Sequence, residues 1–353
     1  MKIPVRVRCI TYNHAKYIED TMNGFCMQKT TFPFICTIID DASTDGEQEI
    51  IKKFLLEHFD LDNQDIVRNE ETDNYIMTYA QHKTNKNCYF AVFFLKYNHY
   101  SIKKNKMPYV KEWQNQVKYI ASCEGDDYWT NPYKLQKQFD WMEQHSEYAI
   151  CFHRVQDVTI DNQIIQGSGS PRYYGCLWDK SDITLKDYLK ELCYYHNFTY
   201  QLSSFFMKRE YMDFYMNSLK TIFQNFPYGD VPIALSALFH GKGYCLKETM
   251  SHYRALSGGF TSKLFANKDN QIALAKKELI CYGELDDYLK GAFHNLIKYR
   301  HKRNQLAIES HLGDNYLTQF KPRYWILLKF QPLRATLSYL LKGVLMKMGL
   351  FHK

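Results

Sequence analysis

Three carboxylates, Glu124, Asp126 and Asp127, stand within four positions of the segment SCEGDDYWTNP, residues 122–132. A glycine separates the first from the other two, and Tyr128, Trp129 and a proline follow. Carboxylates this close repel one another, and burying them unpaired costs several kcal/mol. A divalent cation removes that cost, and hard oxygen ligands suit Mg2+ or Mn2+. Mg2+ takes one or two protein carboxylates and fills its shell with water and substrate phosphates. The segment therefore suits a metal–diphosphate complex better than a closed metal cage. The plainer reading is an acidic turn that caps the following helix. A second acidic pair, Asp40–Asp41, precedes a Ser-Thr-Asp-Gly turn. An acid there accepts hydrogen bonds from a base NH or from ribose hydroxyls, and its plainer role is an N-cap cluster.

Both clusters need elements to position them. VRVRCI at 5–10 predicts a strand, broken by TYNH, and residues 14–28 carry helical spacing with Tyr17, Ile18, Met22 and Phe25 on one side. PFICTII at 33–39 predicts a second strand ending in Asp40 and Asp41. Ser43, Thr44 or Asp45 then caps a helix running to about residue 58. The stretch 70–115, with NEETDNY and NHYSIKKNKMPYVKEW, reads as loops and helices. VKYIASC at 117–123 predicts a buried strand feeding the acidic segment, and a helix follows with Leu135, Phe139 and Met142 on one face. Residues 148–155 read as a strand, GSGSPRYYG as a loop, 183–193 as a helix, and QLSSFFMKRE as a strand entering a helix. Past residue 265 the pattern is helical. This order implies βαβ units and an α/β fold with a mostly parallel, Rossmann-like central sheet flanked by helices. In such sheets ligands bind beyond the carboxyl ends of the strands, where both acidic clusters fall.

The chain has 353 residues, enough for one large domain or two smaller ones. Hydrophobic residues make up 45%, which excludes a disordered chain. The aromatic share of 16% suits broad surfaces for polar ligands and follows equally well from genomic base composition. A net charge of +7 favours anionic partners, but the basic residues are dispersed, so nucleic acid is not indicated. The 10 cysteines form no CxxC pair; they read as small buried hydrophobes in a reducing cytoplasm, not as a zinc site. The N-terminal MKIPVRVRCITYN lacks the apolar stretch of a signal peptide, and no run is long enough to span a bilayer. Near the C-terminus, Leu333, Leu337, Leu340, Leu341, Val344, Leu345 and Met348 follow helical spacing, with Arg334, Ser338 and Lys342 opposite. Such a helix either docks on the protein's own core or lies on an anionic membrane surface.

ITYNHAKYIEDTMNG, IIDDASTDG and CEGDDYWTNPYKLQKQ, in this order, resemble the family 2 glycosyltransferases of the GT-A fold over roughly the first 150 residues. The resemblance implies a GT-A domain over 1–260, with a nucleotide-sugar half at 1–130 and an acceptor half at 131–260. A helical extension with the basic amphipathic tail fills 261–353. It implies that Asp40 and Asp41 contact the base and ribose of a nucleotide-sugar, with Asp41 on uracil, and that Thr11, Tyr12 and Asn13 line the same pocket. Asp126 becomes the metal ligand, Glu124 a ribose or sugar contact, and Asp127 a near neighbour. The family usually has Asp where this chain has Glu124. FPYGDVPIALSALFHGKGYCLKETMSHYR at 226–254 resembles the family's downstream acidic segment. That resemblance makes Asp230 the catalytic base and puts His252 and Arg254 near the diphosphate. The plainer roles are a helix N-cap for Asp230, a satisfied strand-end histidine and a surface arginine. SGGFTS, after them, is expected as a loop over the donor.

The implied reaction is an inverting, metal-assisted single displacement with Mg2+ or Mn2+. It moves a sugar from a nucleotide-diphosphate donor, UDP-linked by preference, to a glycan or lipid-linked oligosaccharide. The expected location is cytoplasmic, or peripheral on the inner face of the plasma membrane. Two rivals stand beside it. A nucleotidyltransferase uses the same metal–phosphate chemistry but releases diphosphate and needs no separate base at Asp230. A non-catalytic nucleotide-sugar-binding relative would not need Asp41, Asp126 and Asp230 all kept.

Overall fold

A computed structural model describes residues 3–172, 175–195, 199–256, 263–264 and 266–309. The expected loop at 257–262 and the amphipathic tail at 333–353 lie outside the described residues. The elements run β1 (Val5–Thr11), α1 (Ile18–Cys26), β2 (Phe34–Asp40), α2 (Glu47–His58), β3 (Phe59–Asp60), β4 (Arg68–Glu71), β5 (Tyr75–His82) and β6 (Cys88–Leu95). Next come α3 (Lys111–Gln116), β7 (Tyr119–Ser122), β8 (Tyr128–Trp129), α4 (Lys134–Gln144), β9 (Tyr148–Val158) and β10 (Ile164–Ser170). Then follow β11 (Asp182–Ile183), α5 (Leu185–Lys190), β12 (Phe206–Lys208), α6 (Arg209–Phe214), α7 (Lys220–Ile222), α8 (Asp230–Leu238) and β13 (Lys242–Arg254). Two helices close the described chain, α9 (Lys268–Tyr288) and α10 (His294–Glu309).

The chain forms two compact units from interleaved stretches: 1–170, 200–213 and 237–254 in the first, and 171–199, 214–236 and 255–353 in the second. The first unit holds a sheet in the order β13-β9-β12-β7-β1-β2-β6-β5-β3. Its centre, β7-β1-β2-β6, is parallel, as is the β9–β13 pair; β12 and β5 run antiparallel to their neighbours. Every residue of β2 and β6 is buried, which is why both read as unbroken apolar runs instead of alternating ones. The stretch 70–115 therefore departs from expectation. It contains β5 and β6, and β6 lies beside β2 in register Phe34↔Cys88 to Asp40↔Phe94. The loop expected at GSGSPRYYG also departs, since its first four residues complete β10.

The core on one face joins Val5, Val7 and Cys9 of β1, Phe34, Cys36 and Ile38 of β2, and Phe90 and Val92 of β6. Ile18, Met22 and Phe25 of α1, Ile51, Phe54 and Leu55 of α2, and Leu135 and Met142 of α4 close over them. Phe25 meets the edge of Trp129 at 4.9 Å and of Phe90 at 6.3 Å between ring centres. All ten cysteines are free thiols, eight of them buried, in agreement with their reading as small apolar residues. In the second unit Thr184 caps α5 through a capping box with Asp187. A buried pair, Arg300 and Glu278 at 2.6 Å, joins α10 to α9. Among the described residues no helix is long and apolar enough to cross a membrane.

Lys134 sits at the start of α4 fully buried, its Nζ 3.9 Å from the centre of the Trp129 ring and without a hydrogen bond. Burial pulls its pKa down to about 7, so above that pH the folded state holds a mostly neutral amine where the unfolded chain stays charged. The unfolded state binds more protons between about pH 7 and the ordinary lysine value, so this group makes stability rise with pH across that window. Lys134→Met keeps the apolar stem on Trp129 and removes the buried amine. Urea unfolding at pH 7 and pH 10 should show the variant at least as stable at pH 7, with a smaller gain on going to pH 10.

Candidate nucleotide-sugar site

Strand register brings the first pieces of the site together. β1 and β2 end side by side, with Thr11 opposite Asp40. β7 pairs with β1 only as far as Arg8↔Ser122, and its continuation runs on past the end of β1. Along that path the NH of Cys123 donates to the Arg8 carbonyl at 3.0 Å, and the NH of Gly125 to that of Ile10 at 3.3 Å. The acidic segment is therefore laid against Thr11 by the backbone. A Cβ on Gly125 would overlap the Thr11 side chain, so this close approach requires glycine.

The loops after β1 and β2 are tied to each other. Asn13 and Ala42 both take left-handed backbone angles, φ 57° and 63°. Asn13 donates its NH to Ser43 Oγ at 2.9 Å, and its side-chain oxygen accepts from the NH of Thr44 at 2.8 Å. The NH of Ala15 reaches Asp45 at 2.9 Å. Glu47 joins the rest, fully buried. Its carboxylate accepts from the Thr11 hydroxyl, from the NH of His14 at 2.9 Å and from Ser43 Oγ at 2.7 Å. Burial raises its pKa, opposed by those hydrogen bonds. The cap expected of Ser43, Thr44 or Asp45 is corrected in position: Gly46 at φ 92° occupies the N-cap. Asp45 Oδ1 still accepts the NH of Glu47, the first helical residue, at 3.2 Å, while the Ser43 and Thr44 hydroxyls turn to the Glu47 side chain and to Asn13.

The acids named from sequence meet different environments. Asp40 is buried; Oδ1 accepts from Ser43 and Gln48, while Oδ2 has no hydrogen bond, and burial raises its pKa. Asp41, also buried, accepts from the NH groups of His99 at 2.8 Å and Tyr100 at 3.0 Å, and pairs with Lys106 at 2.8 Å. Both its oxygens are thus engaged by the loop that follows β6. Asp127 is buried and accepts the NH of Arg254 at 3.1 Å; burial, then the Asp126 and Glu124 charges, push its pKa well up. Glu124 is exposed. Asp126 is about one-fifth exposed and faces His14 Nε2 at 3.7 Å. Tyr12 is 44% exposed beside them.

Arg254 clamps the segment from β13. Its guanidinium donates to the Asp126 carbonyl at 2.6 Å and to Asn162 at 3.1 Å, and pairs with Asp20 of α1. It lies 4.9 Å from the ring centre of Tyr17 and 4.5 Å from that of Tyr128. His252 bonds the Tyr128 hydroxyl at 2.8 Å, and burial, then the Arg254 charge, lower its pKa. Thr21 holds the carbonyls of Gly125 and Asp127 from α1, at 3.0 and 2.6 Å. Asp230 belongs to the second unit, at the first position of α8. Burial raises its carboxyl to about 6, and its Oδ1 accepts the NH of Val231 at 3.0 Å. The first unit thus gathers Thr11, Tyr12, Asn13, Asp40, Asp41, Glu124, Asp126, Asp127, His252 and Arg254. Sequence reasoning named neither Glu47 nor His14. Among the described residues no group of three or more His, Cys, Asp or Glu is placed to hold a metal.

Residues 7–76 match the model of glycosyl transferase family 2, covering β1 through the start of β5. That stretch is similar to the family, and the fold carrying it is that of the GT-A glycosyltransferases. The structure of S. aureus TarS residues 1–349 in complex with UDP-GlcNAc superimposes with a TM-score of 0.56 at 14% identity, covering 99% of this chain and 93% of that one. Uncharacterized proteins of Mycobacterium tuberculosis and Mycobacterium bovis are 32% identical over 152 residues, 43% of this chain. The match covers 35% of the length of those relatives.

Gly125→Ala forces apart the acidic segment and Thr11. Thermal unfolding of the variant should show a lowered melting temperature. An unchanged melting temperature would show that this close approach does not hold the segment.

Proposed function

We propose that the chain transfers a sugar from a nucleotide-diphosphate donor to a hydroxyl of a glycan or lipid-linked acceptor, with inversion at the anomeric carbon. One observation carries the reading. The acidic segment lies across the carboxyl ends of the parallel strands, beside Thr11 and Asp40, and presents Asp126 partly exposed while Asp127 is buried behind it. This is where open α/β sheets bind nucleotides.

Asp126 would hold Mg2+ or Mn2+ together with the donor diphosphate. Such a cation would supply positive charge against the departing diphosphate. The loops at Thr11–Asn13 and Asp40–Asp41 hold the nucleoside. In them Asp40, with one free buried oxygen, is the better-placed acceptor for a base NH or ribose hydroxyl, since Asp41 is engaged by its own loop. Glu124 contacts the ribose or the sugar. Asp230 is the base: it corresponds to the family's downstream acid, and a pKa near 6 leaves it ionised yet still basic at neutral pH. The acceptor oxygen gives its proton to Asp230 and attacks the anomeric carbon from the face opposite the nucleotide. The bond from that carbon to the phosphate oxygen breaks, and a nucleoside diphosphate leaves.

Calorimetric titration with UDP, GDP and CDP, each with and without Mn2+, tests the donor site; UDP is the expected binder. Asp126→Ala should abolish the metal-dependent part of that binding. Retention of it would remove Asp126 from the metal site. Product analysis separates the rivals, because a nucleotidyltransferase releases diphosphate and this reaction does not.

Asp230→Asn should lower kcat by about a hundredfold or more while leaving nucleotide affinity unchanged. In the unaltered chain kcat/KM should rise with pH through about 6 and then level, because the base works only when ionised. A flat profile between pH 5 and 7 would exclude Asp230 as the titrating base.

A further inference from the structure

We propose that His14 is a second protein ligand of the cation held by Asp126, through Nε2, and that it biases the site toward Mn2+ over Mg2+. This rests on the donor-site reading above and goes beyond it.

The argument is one of hydrogen counting. The Thr11 hydroxyl has one hydrogen, and it goes to Oε1 of the buried Glu47. Oε2 of that carboxylate is already taken by the NH of His14 and by Ser43 Oγ, both donors. Thr11 Oγ1 also lies 3.1 Å from His14 Nδ1. With its own hydrogen spent, Thr11 accepts there, so Nδ1 carries the hydrogen. Nε2 of the neutral ring is then a bare lone pair. It points at Asp126 Oδ2, itself an acceptor, at 3.7 Å. Two lone pairs set face to face at this distance are a repulsive contact with nothing between them and a ligand pair with a cation between them.

The surroundings match what metal-bound histidines require. A ligating imidazole is held by a hydrogen bond from its other nitrogen to an acceptor, which sets its tautomer and orientation. Here Thr11 supplies that acceptor and Glu47 supports Thr11. Both ligand residues are about one-fifth exposed, so the pair is reachable from solvent. Two donors at about 2.1 Å from one ion stand roughly 3 Å apart at neighbouring octahedral positions, so the pair needs to close by less than an ångström. Two protein ligands leave the remaining positions to water and to the donor diphosphate. Imidazole suits transition metals, whereas carboxylate and water serve Mg2+ and Mn2+ alike, so a mixed pair favours Mn2+.

Mn2+ alone is titrated into the full, tag-free chain, with electron paramagnetic resonance following the free ion and electron spin-echo modulation reading nitrogen coupled to the bound ion. The expected result is modulation from one directly bound imidazole, lost in His14→Ala, with Mn2+ affinity reduced at least tenfold and Mg2+ affinity reduced less. Bound Mn2+ without nitrogen modulation in the unaltered chain overturns the proposal, whatever the variant's stability. So does a His14→Ala chain that binds Mn2+ as tightly as before or more tightly, the outcome for an imidazolium that merely pairs with Asp126. A parallel UDP titration separates the two readings. UDP binding that needs Mn2+ while the nitrogen signal is absent removes His14 alone. Loss of all Mn2+ and UDP binding in the unaltered chain removes the donor site with it.

Discussion

A buried carboxylate lies at the foot of two loops, and both loops depend on it. Glu47 accepts hydrogen bonds from Thr11 at the end of the first strand, from the backbone of His14 in the loop beyond, and from Ser43 in the turn that precedes its own helix. Leaving any one of those buried donors unpaired costs about 1–3 kcal/mol, so the contacts hold one another in place. Their effect reaches past the loops. Thr11 fixes how close Gly125 can come, and through Gly125 the whole acidic segment takes its height above the sheet. A single unexposed side chain thereby sets the separation between the loops after β1 and β2 and the carboxylates that follow β7.

Similar carboxylates become different chemical objects at this edge because their surroundings differ. Asp41 is a brace for the loop after β6, saturated by two backbone NH groups and an ammonium. Asp127 is a buried anchor on β13, its proton held more tightly by desolvation and by the neighbouring charges. Asp126 alternates with it, partly open to water. Arg254 makes the arrangement electrically tolerable. Its guanidinium is spread over a backbone carbonyl, an amide and a carboxylate, between two tyrosine rings, so positive charge sits behind the acids.

The parts of the fold legible in the sequence were those with a local signature. The strands at Val5 and Phe34, the helices at Ile18, Glu47 and Lys134 and the strand feeding Glu124 follow from apolar spacing and turn residues. The central strand Cys88–Leu95 is buried as completely as Phe34–Asp40 and reads as the same kind of apolar run; it was missed because the polar stretches on either side, which show no clear period, dominated the reading of 70–115. The helix start at Gly46 was missed because the turn's polar side chains serve tertiary contacts, and only the backbone angle reveals the cap. For the site, the acids announced themselves by clustering. Glu47 and His14 did not, since each is one polar residue whose meaning comes from a partner 36 or 112 positions away. A signal for His14 was present in TYNH, a histidine placed just past a strand end that meets the acidic segment.

The sheet has a further consequence that concerns heredity more than chemistry. β12 and β13, residues 206–208 and 242–254, are supplied late in the chain, yet they flank β9 inside the first unit, and β13 runs parallel to β9 over its length. No cut before Arg254 leaves that sheet whole, and the stretches between belong to the other unit. Exchange of a contiguous downstream half between homologous genes would therefore tear strands from one unit while replacing the other. Variation that keeps the molecule foldable must arise by substitution and by lengthening of loops, such as the one after β6, instead of by shuffling cassettes.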